Sequence, residues 1–113
     1  MLQIQTKHVE PDIVVLELAG RVTMGRDCKQ LEWITETLVK ENRKKIIFDL
    51  SGVTQVDSTG IGIFVTSAAQ LKSAGGELRV AGASGHVENV FRMTNVDKVI
   101  GLHPTAAAAS VGF

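Results

Sequence analysis

Residues 2–7 alternate apolar and polar side chains with a period of two, which predicts a strand. Pro11 and Asp12 mark a turn, and residues 12–19 (DIVVLELA) predict a second strand. The connection is short, so the two should pair as an antiparallel hairpin. Gly20 ends the alternation. From about residue 24 to residue 40 the period lengthens to that of a helix. Met24, Cys28, Leu31, Thr35, Leu38 and Val39 fall on one face, with Ile34 at its edge. Trp33 falls on the other side, among Lys29, Glu36 and Lys40, and is expected to pack at a helix edge or against the C-terminal helix. Residues 44–50 (KKIIFDL) predict a third strand, followed by a loop over 51–57 and a second helix to about residue 74. Ile61, Phe64, Val65, Ala68 and Leu71 form the predicted buried face of that helix. Ile63 falls outside it, on the side shared with Thr59 and Gln70. Gly75-Gly76 closes the helix, because glycine accepts the left-handed conformation at such an end. Residues 77–82 (ELRVAG) predict a fourth strand. Ser84 suits the N-cap of a third helix to about residue 93. A short last strand is expected within 96–102. Pro104 then opens a terminal helix, at a position where its missing N–H costs nothing.

Strands alternating with helices after a hairpin indicate an α/β domain with a mixed sheet. Val14, Leu16 and Leu18 share one face of their strand; Ile46, Phe48 and Leu50 do the same, as do Leu78 and Val80. The opposite faces carry Glu17, Asp49 and Arg79. Strands covered on both sides would read as unbroken apolar runs. Helices are therefore expected mainly on one face, with the other partly open. The 113 residues suit a single domain, 1–113.

Composition narrows the functional classes. Lys and Arg number 12, as do Asp and Glu, so the chain lacks the basic footprint of a nucleic-acid binder. A single cysteine, Cys28, permits no internal disulfide and fits a reducing compartment, hence a cytoplasmic location. The N-terminal residues contain no apolar stretch of signal-peptide or membrane-span length, so no membrane insertion is expected. No G-x-S-x-G elbow or Gly-Lys-Ser/Thr phosphate loop occurs. His8, His86 and His103 are far apart and lack ligand spacing with Cys28, so no metal is expected. Cys28 reads as a small buried hydrophobe. The chain is therefore read as a non-enzyme without cofactor.

The segment Val56-Asp57-Ser58-Thr59-Gly60-Ile61-Gly62 stands out. Two consecutive capping residues mark a helix start, where unpaired N–H groups and the positive end of the helix dipole converge. A helix cap alone accounts for Asp57. Glycines at 60 and 62, however, cost a helix about 1 kcal/mol each against alanine. Their small size leaves the Ser58 hydroxyl accessible, and Ile63 beside it is a plausible apolar contact.

These residues resemble the STAS domain of anti-sigma factor antagonists. IIFDLSGVTQVDSTGIGIF is similar to that family's central strand, loop and helix, with its D-S-[ST]-G-[IL]-G signature. LELAGRV resembles the second strand and its exit, GGELRVAG the following strand, and VFRMTNVDKVI the late helix and turn, with Phe91, Val96 and Ile100 at usual apolar positions. The resemblance implies a STAS-like, mixed four- to five-stranded sheet with helices packed on one side. It also implies partner switching in the control of transcription. The unphosphorylated protein would bind an anti-sigma factor that is also a serine kinase, freeing a sigma factor. The kinase would phosphorylate Ser58, and a PP2C-like phosphatase would restore it. Asp57, Ser58, Thr59, Gly60, Gly62, Ile63, Arg21 and Thr23 would meet the partner. Thr23 stands where the family often carries an acid, which widens the choice of partner. Two other readings remain open: a STAS subunit of a transporter complex, of the lipid-transport type, or of another signalling complex, that is never phosphorylated, and an enzyme or nucleotide-binding domain.

Overall fold

A computed structural model describes residues 2–113. Five strands form one sheet in sequential order. β1 (Leu2–Val9) pairs antiparallel with β2 (Ile13–Val22). β2, β3 (Lys45–Val56), β4 (Glu77–Ala81) and β5 (Gly101–His103) run parallel. Parallel neighbours need crossovers, and helices α1 (Arg26–Lys40), α2 (Ser58–Ser73) and α3 (Gly85–Met93) supply them.

All three helices cover the same face. Val14, Leu16, Leu18, Ile46, Phe48, Leu50, Leu78 and Val80 line it, as the strand alternation predicts. Leu31, Phe64 and Phe91 are fully buried over them. Phe64 sits between Phe48, at 5.7 Å edge-to-face, and Phe91, at 5.6 Å stacked. These are favourable aromatic geometries at the centre of the layer.

The second face is not simply open. The terminal helix α4 (Ala106–Ser110) lies against it and closes a smaller core of Ile13, Val15, Ile47, Ala81 and Ala109, flanked by Ala106 and Phe113. Trp33 is 64% exposed and belongs to α1, so it has no contact with α4 across the sheet. The open part of this face carries Gln3, Gln5, Glu17, Asp49 and Ser51.

Other expectations shift as well. β3 runs six residues past Leu50, through the predicted loop, to Val56. Val53 and Val56 are buried while Thr54 and Gln55 are exposed. Register shifts between Glu17 and Ala19 and between Gly20 and Arg21 break the two-residue period that marks a strand in sequence. The last strand shortens to Gly101–His103 behind a 3₁₀ turn, Val96–Lys98. Met24 lies before α1, not on its apolar face, and is 77% exposed.

Candidate functional site

The long β3 delivers the chain to the N-terminus of α2 beside the end of β2. Asp57 is the N-cap, with extended backbone, and its carboxylate accepts the Gly60 N–H at 2.9 Å. Its other oxygen accepts the Met24 N–H, also at 2.9 Å. The Asp57 N–H donates to the Val22 carbonyl at 3.3 Å. Asp57 thus ties together the ends of β2 and β3, the start of α2 and the loop before α1. The N–H of Met24, followed by that of Gly60, holds its carboxyl below the usual carboxylate range.

Gly60 is buried, and a Cβ there would drive into the Val22 carbonyl oxygen and approach a Val22 methyl carbon to 3.0 Å. It is a close-approach position and not an accessible contact. Gly62 is exposed, with nothing within 4 Å of a Cβ placed on it. Ser58 occupies the first helical position and is exposed; among the described residues its hydroxyl makes no hydrogen bond. Thr59 is half-buried beside it. The first turn of α2 contains no acidic residue, leaving its N–H groups and dipole uncompensated except by Asp57.

Ile63 departs from its expected exposure. It is buried in the main core, whereas Val65, assigned to the buried face, is 37% exposed. The cause is α1. The groove between the two helices is lined by Glu36, Val39 and Lys40 from α1 and by Thr66, Ala69, Gln70 and Ser73 from α2. Thr66 and Gln70 follow Ile63 by three and seven residues, so the side of α2 that carries Ile63 is the side α1 covers. Ile63 therefore offers no surface to a partner.

Arg21 is exposed near the end of β2, and Thr23 is half-buried, its carbonyl accepting the Cys28 thiol at 2.8 Å. Burial, followed by the nearby Asp57 carboxylate, pushes the Cys28 thiol upward, which fits an inert core residue. The structure adds Met24, which sequence reasoning placed in the core. Its backbone N–H is pinned to Asp57, the residue before Ser58, and its side chain is exposed. A glycine at 25 was the sign available in the sequence that the helix had not yet begun, and its φ of +145° bears this out. Among the described residues no group of three or more His, Cys, Asp or Glu is placed to hold a metal, and no helix is long and apolar enough to cross a membrane.

An uncovered serine on the first turn of a helix, beside a self-sufficient aspartate cap, stands on an α/β module whose three crossover helices cover one face of a mixed sheet. The STAS domain family matches residues 4–109, and the chain belongs to that family. It is 29% identical over 99 residues to the anti-sigma-B factor antagonist of Listeria monocytogenes, covering 88% of this chain and 86% of that one. Its fold matches the crystal structure of an anti-sigma factor antagonist from Mycobacterium paratuberculosis with a TM-score of 0.86, at 20% identity over 98% of this chain and 92% of that one. It also matches the Bacillus cell fate determinant SpoIIAA in its phosphorylated form, with a TM-score of 0.76 at 19% identity over 95% and 96% of the two chains.

Proposed function

We propose that this protein is an anti-sigma factor antagonist that works by partner switching in the cytoplasm, with Ser58 as the switch. In this reading the unphosphorylated chain binds an anti-sigma factor/serine kinase and frees a sigma factor. The kinase phosphorylates Ser58 and the complex separates. A PP2C-like phosphatase reverses the change. The chain is substrate and ligand in this cycle, not catalyst.

The observation that carries the proposal is the division of labour between Asp57 and Ser58. Asp57 caps the helix, and the Ser58 hydroxyl is left exposed and without a structural task among the described residues. Phosphate adds a charge of about −1.5 to −2 at neutral pH. The α2 N-terminus can accommodate that charge within the free molecule. Inside an interface the same group adds bulk, repels carboxylates and must be desolvated. A difference of about 3 kcal/mol there changes affinity roughly a hundredfold. The contact surface we assign comprises Ser58, Thr59, Gly62, Arg21, Thr23 and Met24. Asp57 and Gly60 shape it from beneath.

The test uses the serine kinase anti-sigma factors of the same organism, with ATP and phosphopeptide mass spectrometry. Ser58 is the expected modified residue. Ser58→Ala should fold normally and stay bound, and Ser58→Asp should lose roughly a hundredfold in affinity with its fold intact. Modification confined to other residues, or a Ser58→Asp chain that no longer folds, would sink the reading.

A further inference from the structure

Residues 106–113 are attached to the molecule in an unusual way. α4 has five residues, far below the length at which an isolated helix persists in water. Its start is capped by the Thr105 hydroxyl, which accepts the Ala108 N–H at 3.1 Å. Its other end is held by one side chain from β4. The Arg79 guanidinium donates to the carbonyls of Ala109 at 2.9 Å, Val111 at 3.0 Å and Gly112 at 3.4 Å. The same group lies over the Phe113 ring, 4.1 Å from its centroid. Glu77 fixes it from the strand at 3.0 Å. Arg79 therefore satisfies the Ala109 carbonyl in the last turn of α4 and two carbonyls just beyond the helix, and stacks on the Phe113 ring.

Beneath this segment lie Ile13, Val15, Ile47 and Ala81, all buried. The only helical side chain fully sealed against them is Ala109; Ala107 and Val111 face solvent. Ala106 and the half-buried Phe113 ring pack at the margin of this small core, and the polar restraint on the segment is borne largely by one residue, Arg79. Such a balance is typical of units that open below the free energy of global unfolding.

We propose that residues 106–113 form a strap that opens as its own unit, with Arg79 as its clasp, and that opening exposes an apolar strip of the sheet made of Ile13, Val15, Ile47 and Ala81. The strip lies on the face opposite α1, α2 and α3, so the strap gates a surface separate from the Ser58 site. This inference does not depend on phosphorylation.

Hydrogen exchange of the full chain, followed by mass spectrometry, tests it. Amides of 106–113 should exchange at least about tenfold faster than those of α2 and β3, with a rate that barely depends on low concentrations of urea. Arg79→Gln and, separately, Phe113→Ala should each accelerate exchange in 106–113 while α2 and β3 stay protected. Phe113→Ala removes a half-buried ring at the margin of the small core and changes no residue of the sheet, so it remains informative if Arg79→Gln fails to fold. As a second readout, a thiol introduced as Ala81→Cys should be labelled faster than Cys28, which is buried in the other core and reports global opening. Exchange of 106–113 in step with the core, or equal labelling of the two thiols, overturns the proposal.

Discussion

Gly60 and Gly62 are two residues apart and do opposite jobs. A methyl group at 60 collides with the Val22 backbone, and one at 62 meets open space. Gly60→Ala should therefore lose about 2 kcal/mol through forced repacking. Gly62→Ala should gain up to about 1 kcal/mol in helix propensity. Urea unfolding of the two variants checks the contrast, and a destabilised Gly62→Ala would mean the first turn is strained in a way the backbone does not reveal. Asp57 is the other decisive residue. Loss of its cap in Asp57→Ala should cost about 1 kcal/mol at neutral pH. Its folded-state pKa is depressed, so the carboxylate's contribution is present above the unfolded value of about 3.9 and disappears as pH falls through the folded value. The gap in stability between wild type and Asp57→Ala should narrow across that acid window; a constant gap would remove the charge from the explanation. The two hydrogen bonds differ in visibility from sequence. The cap to Gly60 spans three residues and belongs to the local pattern, whereas the bond from Met24 spans 33 and does not.

α2 is the element on which periodicity and packing disagree. Its apolar residues extend over more than half its circumference, with Ile61, Ile63, Phe64 and Val65 almost consecutive. Hydrophobicity alone therefore leaves the buried arc free to rotate, and the position of α1 fixes it over Ile63. Ile63→Glu should destabilise the fold by about 3 kcal/mol or more, because the carboxylate is buried without a partner. Val65→Glu, on the exposed side, should change stability by less than about 1 kcal/mol. Paired denaturation curves decide this, and equal effects would contradict the packing of α1 on α2. The end of β3 presents a similar case. A ladder with β2, interrupted by two register shifts, carries it to Val56 through a bulged stretch whose sequence looks like a loop.

The whole molecule has two cores of unequal weight. The larger joins three helices to the sheet around Phe48, Phe64 and Phe91; the smaller lies under α4. Phe64→Ala removes the ring shared by both aromatic pairs and should cost about 3–5 kcal/mol, read as a lowered urea midpoint for the entire chain. Retention of near-native stability would mean that the neighbouring rings collapse into the space. The Ser58 surface sits on a rigid base. It stands at the start of α2, whose first turn is stitched to the ends of β2 and β3; under the proposed function, a charge added there would act on what docks and not on the fold beneath.

What the sequence alone determined is what depends on near neighbours. The faces of β2, β3 and β4, the antiparallel hairpin, the helix start at Asp57 and the exposed position of Ser58 all follow from periods of two or 3.6 and from capping over a few residues. Contacts between distant segments decided the rest. Only when α1 lies beside α2 does Ile63 become core, only the β2–β3 ladder turns residues 51–56 into strand, and only Arg79 together with the small core around Ala109 holds the last residues across the second face. Local pattern reports how much apolar surface an element must hide; which neighbour hides it is a property of the assembled chain.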